Sequence, residues 1–226
     1  AYQEGKVLLI DKPLNWTSFQ VVNKIRWLIK QQFEIKKIKV GHAGTLDPLA
    51  TGLLILCTGK FTKKIETYQA QVKEYTGTIT LGATTPSYDL ESEVDQTFDI
   101  SGITKEDILQ NTQHFIGEIQ QQPPIFSALK KDGKRLYEYA REGKHVEIPK
   151  RAITINKFEI TNIDMPNVEF RVLCSKGTYI RSLADDFGKM LNNGAHLSSL
   201  RRTKIGDFSV DNAVGVLAFE EAFKSI

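Results

Sequence analysis

The eleven residues His42-Ala43-Gly44-Thr45-Leu46-Asp47-Pro48-Leu49-Ala50-Thr51-Gly52 place one carboxylate, Asp47, in a glycine-punctuated loop just before the apolar run Leu53-Leu54-Ile55-Leu56-Cys57. Pro48 biases Asp47 toward extended backbone. Gly44 and Gly52 permit sharp turns or close approach by another chain segment. A carboxylate held in a stiff loop against a buried strand is costly unless it is paired or used. By residue type alone, an Asp-Pro turn is more often structural than catalytic. Arg181 is the second sharp feature. It lies in the first turn of a helix begun at Thr178, where a cation opposes the macrodipole at a cost of up to about 1 kcal/mol. On a helical wheel it points about 110° away from the centre of the apolar stripe. Neither helix stability nor core packing accounts for it, so it wants an anion, either a carboxylate or a phosphate. Asp185, four residues on, is the local candidate. Tyr75, Tyr179 and His42 taken singly read as a core tyrosine, a stripe-edge tyrosine and a loop histidine.

The elements that must position these residues follow from periodicity and caps. Val7 to Ile10 is a short apolar strand. Thr17 and Gln20 form a T-x-x-Q capping box for a helix burying Phe19, Val22, Ile25 and Ile29. Residues 36–40 lead as a strand into the His42 loop. Lys60 to Ala70 reads as a helix and Val72 to Leu81 as a strand, with Tyr75, Ile79 and Leu81 on one face. Ile103 to Ile116 is a helix with Thr104 as cap. Gln120-Gln121-Gln122-Pro123-Pro124 breaks regular structure. Arg135 to Glu142 is a short helix closed by Gly143. Ala152 to Ile163 and Val168 to Cys174 form an antiparallel pair. Gly177-Thr178 caps a helix with the stripe Ile180, Leu183, Ala184, Phe187 and Leu191. The C-terminal stretch gives a strand around Ile205 to Val210 and a last helix. Strands and helices mix without βαβ regularity, which favours an α+β fold with a mixed, largely antiparallel sheet flanked by helices.

Composition narrows the function classes. The chain has 226 residues, 41% of them hydrophobic and 25% charged, as in a soluble globular protein. No stretch reaches transmembrane length, and the N-terminus lacks signal-peptide character. Two cysteines in apolar runs suggest a reducing, cytoplasmic setting. Neither metal-ligand spacing nor a nucleotide-binding glycine motif occurs, so neither metal nor organic cofactor is expected. Charge is segmented: residues 1–75 carry net +6, 76–123 net −7, 124–151 net +4 and 152–226 net zero. Two basic segments around an acidic one permit a basic face for a polyanion. The stretch from Gln122 to Arg135 joins prolines, Phe126 and the cations Lys130, Lys131, Lys134 and Arg135, and suits a flexible basic loop on a phosphate backbone.

In combination these blocks resemble the TruB-type tRNA pseudouridine synthases, which isomerise a uridine in the T loop of tRNA (tRNA position 55). The resemblance runs through Asp11-Lys12-Pro13 with Thr17-Ser18, Gly41 to Gly52, Lys73-Glu74-Tyr75, Gln122-Pro123-Pro124 with Ser127-Ala128-Leu129-Lys130, Ser175 to Arg181, and Leu200-Arg201-Arg202. It implies the pseudouridine synthase fold, Asp47 as essential carboxylate, Tyr75 stacking on the target base and Arg181 pairing with the aspartate. It further implies His42 beside the flipped base, Tyr179 in the same motif as Arg181, and Lys12 and Lys130 near the active site and the RNA-contacting loop. Asp89 persists in a stretch where Ser87 and Ser92 replace the family's threonine and glycine. The implied organisation is a single catalytic domain over 1–226, with a basic RNA-contacting loop at about 122–151; in a departure from many bacterial relatives, no C-terminal PUA module is expected. The implied partner is the tRNA T stem-loop, with no membrane and no required protein partner. A guide-RNA-dependent relative and a non-catalytic RNA-binding or tRNA-folding module are the alternatives.

Ordinary glycosidases use two carboxylates, one to protonate the leaving group or activate water. Here the detached uracil is itself the incoming nucleophile, so one carboxylate suffices. It must be ionised whether it attacks the sugar, attacks the base or removes a ribose proton. A neighbouring arginine favours that ionised form against burial. The target base must leave its stack, at a cost of a few kcal/mol repaid by pocket and phosphate contacts.

Overall fold

A computed structural model describes residues 1–226. Residues 1–76 with 200–226 form one compact unit, and residues 77–199 form another. In the first, strand β1 (Val7–Lys12) leads to helix α1 (Ser18–Gln32), strand β2 (Val40–His42), strand β3 (Ala50–Thr58), a 3-10 turn over Gly59–Lys64, helix α2 (Ile65–Gln69) and the start of β4 (Lys73–Leu81). The second contains helix α3 (Lys105–Asn111), strand β5 (Gly117–Gln121), helix α4 (Leu136–Arg141), strands β6 (Arg151–Asp164) and β7 (Asn167–Cys174), helix α5 (Ile180–Met190) and the start of β8 (Ala195–Ile205). Helix α6 (Val216–Lys224) belongs to the first unit.

Pairing is mixed and mostly antiparallel, as the α+β reading requires. β3 runs antiparallel to β1 and β2 and parallel to β8. In the second unit β6 is antiparallel to both β5 and β7. The unbroken apolar run of β3 has a physical cause: both of its faces are covered. Leu54 and Leu56 pack with Ile25 and Ile29 of α1 and Phe219 and Phe223 of α6. Leu53, Ile55 and Cys57 pack on the opposite face with Phe61, Ile65 and Tyr68. The second unit is centred on aromatic contacts among Phe115, Phe158, Phe170 and Phe187.

The capping boxes at Thr17–Gln20 and Thr104–Asp107 are both formed. Phe19, however, is 64% exposed, while Val21 and Leu28 are buried. The stripe facing the sheet is Val21, Val22, Ile25, Leu28 and Ile29, and Phe19 lies about 120° from its centre. The expected helix over Lys60 to Ala70 divides into a 3-10 turn and the short α2. Gln120 and Gln121 end strand β5 rather than breaking structure, and the break falls at the prolines, which cannot donate to a ladder. The C-terminal strand begins earlier than its apolar residues suggest, at Ala195, and folds back through Phe208–Ser209. Tyr179, not Thr178, is the N-cap of α5; the Thr178 hydroxyl donates instead to the Ser175 carbonyl at 2.8 Å. No helix is long and apolar enough to cross a membrane.

Candidate active site

The Asp47 loop is held by main-chain contacts on every side. Asp47 opens a turn in which its carbonyl accepts from the Ala50 amide at 2.9 Å, with Pro48 at the position its fixed φ favours. The buried Ser18 hydroxyl donates to the Leu46 carbonyl at 2.9 Å and accepts from the Leu46 amide at 2.8 Å. The Pro48 carbonyl accepts from the Asn15 amide at 2.8 Å. Two buried cations complete the frame. Lys12 Nζ donates to the carbonyls of Trp16 at 2.6 Å, Pro13 at 2.9 Å and Pro48 at 3.4 Å. Arg202 donates to the carbonyls of Leu53 at 2.9 Å, Gly44 at 3.0 Å and Thr45 at 3.5 Å.

Gly52 makes this arrangement possible. It lies opposite Lys12 on β1 and Arg202 on β8, so both cations flank a residue without a side chain. Its φ is +108°, and a Cβ there would stand 2.2 Å from the Arg202 carbonyl oxygen. The sequence expectation of close approach at this glycine is met by the β8 backbone.

The local field is set by those cations. Burial drives the Lys12 ammonium down to about 8, opposed by the attraction of Asp47 and reinforced by the charge of Arg202. His42, half-buried at the end of β2, is held below its ordinary value by burial first and by Arg202 second, with the Gly44 backbone acting in the other direction. Its ring is therefore neutral at pH 7. Its Nδ1 is buried and makes no hydrogen bond of good geometry within the protein. Tyr75 is 9% exposed on β4, on the same face as the buried Ile79 and Leu81, as its alternation requires.

The second unit positions Arg181. The side chain is only 5% exposed, in the first turn of α5. Its Nη1 donates to the Ser87 carbonyl at 3.3 Å, and its Nε lies 4.0 Å from Asp89 Oδ2. Asp185, the local partner suggested by helix spacing, is instead paired with Lys189 at 2.7 Å. Asp89 is buried too. Its Oδ1 accepts from the Ser87 hydroxyl at 2.6 Å and the Glu91 amide at 3.0 Å. The two serines that depart from the family pattern are in contact, Ser87 Oγ lying 2.5 Å from Ser92 Oγ.

The start of α5 is tied to β5. The Gln121 side chain accepts from the Tyr179 amide at 2.9 Å and donates to the Tyr179 carbonyl at 3.0 Å, while Ser182 donates to the Gln122 carbonyl at 2.7 Å. Gln121 and Ser18 carried no sequence signal for these roles, because their partners are main-chain groups. Lys130 is exposed in a two-residue hairpin strand opposite Arg135, across an Asp132-Gly133 turn with both φ angles positive. The basic segment thus has regular structure, a hairpin followed by α4.

One unit thus holds a carboxylate loop bordered by buried cations, and the other a buried arginine on a clamped helix. The N-terminal domain model of TruB family pseudouridylate synthases matches residues 30–180, and the C-terminal domain model of tRNA pseudouridylate synthase B matches residues 181–225. The chain is 62% identical over 224 residues to tRNA pseudouridine synthase B of Flavobacterium johnsoniae, across 99% of this chain and 98% of that one. It is 54% identical over 220 residues to the same enzyme of Phocaeicola vulgatus, across 97% and 94%. A solved chain in a Cbf5-Nop10-Gar1 complex is similar at a TM-score of 0.72 and 31% identity, over 97% of this chain but 54% of that one, so this chain spans about half its length. The chain belongs to the TruB family of pseudouridylate synthases.

Proposed function

We propose that this chain isomerises uridine to pseudouridine in the T loop of tRNA, at position 55, acting in the cytoplasm without a guide RNA or required protein partner. The observation that carries this reading is the near end-to-end similarity to tRNA pseudouridine synthase B. The Cbf5 likeness, at half the identity and half the length, does not favour a guide-dependent reading.

The reaction breaks the N1–C1′ bond and forms a C5–C1′ bond to the same ribose, with the C5 proton lost and N1 protonated, so no atom or electron is gained. Asp47 serves as the essential carboxylate, in its ionised form. Tyr75 provides the stacking surface that keeps the detached uracil from escaping while it turns. Arg181 favours the ionised carboxylate. The neutral His42 ring occupies the space vacated by the flipped base. Tyr179 joins the substrate-binding set with Asp89, whose burial beside Arg181 suits holding that arginine. The exposed Lys130 on its hairpin meets the RNA phosphates.

The decisive assay incubates the purified protein with unmodified tRNA transcript and maps pseudouridine chemically. Product at the T-loop uridine with no added RNA or protein is expected, and its absence rejects the proposal.

Lys12 gives a pH dependence with a defined sign. Its ammonium loses a proton as pH rises through about 8, leaving two N–H donors for three carbonyls and no charge facing Asp47. Turnover should fall along that limb, and Lys12→Met should abolish the limb while slowing the pH 7 rate about tenfold. Stability moves oppositely. Between about 8 and the ordinary 10.5 the unfolded chain binds the extra proton, so Lys12's contribution makes the fold more stable as pH rises. Rate profiles and melting curves across this window separate the two effects; an alkaline limb unchanged in Lys12→Met would remove Lys12 from the account.

A further inference from the structure

We infer that Arg202 is a positioning residue for Asp47, fixing the carboxylate loop to strand β8; this inference rests on the proposed synthase activity. Arg202 is 2% exposed, one of the largest fully buried side chains in the protein. Its hydrogen bonds go to three main-chain carbonyls, those of Leu53 on β3 and of Gly44 and Thr45 in the loop. A buried guanidinium held by carbonyls is an inefficient way to stabilise a fold, since an apolar side chain of similar volume is commonly as stable or more so. What the planar fork does well is join two segments at fixed spacing. Here it joins the strand leaving the loop to the loop itself, two and three residues before Asp47.

The other contacts make the same connection from different directions. Ser18 on α1 holds Leu46, and Lys12 on β1 holds Pro48. Arg202 alone among these acts from β8, and its backbone packs on Gly52, where no Cβ fits. The neighbouring Arg201 behaves differently: it forms a two-pronged pair with Asp11 at 3.0 and 2.9 Å and is 40% exposed. Consecutive arginines on one strand thus take opposite faces, one bracing β1 and the other the Asp47 loop. Reacting groups displaced by about 1 Å lose about a hundredfold in rate, so release of this brace should act on chemistry rather than on RNA affinity.

The test compares Arg202→Met and Arg202→Lys with the parent in single-turnover assays and in tRNA titrations that report both affinity and binding stoichiometry. Arg202→Met should lose about a hundredfold in rate while keeping one tRNA bound per chain at an affinity within about threefold of the parent. Arg202→Lys, with a charge but no fork, should lose about tenfold. Full stoichiometry excludes a loss that merely reflects fewer folded molecules. A rate within about threefold of the parent in fully binding Arg202→Met overturns the inference, as does a rate loss matched by an equal loss of affinity. If Arg202→Met does not fold, Arg202→Lys decides: a parent-like rate at full stoichiometry overturns the inference, and the tenfold loss sustains it. A parent without pseudouridine-forming activity defeats the functional reading itself, whereas an active parent with unaffected variants defeats only the role of Arg202.

Discussion

Asp47→Asn is expected to lower single-turnover pseudouridine formation by at least about 10⁴-fold, equivalent to roughly 5.5 kcal/mol of transition-state stabilisation. The same variant should bind tRNA within about threefold of the parent affinity. The separation follows from how the loop is held. Its hydrogen bonds to Lys12, Ser18, Asn15 and Arg202 use the carbonyls or amides of Gly44, Thr45, Leu46 and Pro48, and the Asp47 turn closes through a main-chain carbonyl. An isosteric amide leaves every one of those bonds in place. What it removes is the negative charge, which attracts the buried Lys12 ammonium and which the proposed chemistry requires. A glycosidase divides its chemistry between two carboxylates, one protonating the leaving group and the other acting as nucleophile or activating water. Here the leaving base returns as the nucleophile, so no second carboxylate can substitute. The measurement is rate and affinity on one preparation; a rate within about tenfold of the parent would remove Asp47 from the chemistry.

The legible parts of this protein were those in which a side chain makes its contact locally or by periodicity. The Thr17–Gln20 capping box, the Thr104 cap, the burial of the apolar run in β3 and the Tyr75 face of β4 follow from short-range pattern. Phe19 misled because a helical stripe admits more than one phase when apolar residues occur on both sides of it. Arg181 was recognised as misplaced for helix stability and core packing, yet its burial was not legible. The polar side of α5 is covered by the Ser87–Asp89 loop instead of water, and no residue spacing within the helix reports that. Arg202 lies further from reach. Its acceptors are carbonyls of residues 149 to 158 positions away, and a carbonyl has no signature in side-chain sequence. The Leu200-Arg201-Arg202 block marked the residue without its role, and Gly52 hinted at a close neighbour that could be named only once β8 was paired with β3.

Arg181→Met should slow turnover by about 10³-fold at nearly unchanged tRNA affinity. The side chain stands at the electropositive end of α5, where its charge is disfavoured by the helix dipole. It is nonetheless buried, with Asp89 as a nearby carboxylate and the Ser87 carbonyl as an acceptor. A surface pair with Asp185 would predict little effect, but that carboxylate is occupied by Lys189. Removing Arg181 also leaves Asp89 buried without this cation, a stability loss of about 1–3 kcal/mol. Asp89 retains the Ser87 hydroxyl and the Glu91 amide, so the loop should stay folded. The structural and chemical parts of the effect separate in the double variant Arg181→Met/Asp89→Asn. Neutralising Asp89 should recover much of the lost melting temperature, because the uncompensated buried charge is gone, while turnover stays about 10³-fold down. Recovery of turnover alongside stability would mean that Arg181 serves the fold alone. A single Arg181→Met variant active within about tenfold of the parent would show that the ionised Asp47 does not depend on it.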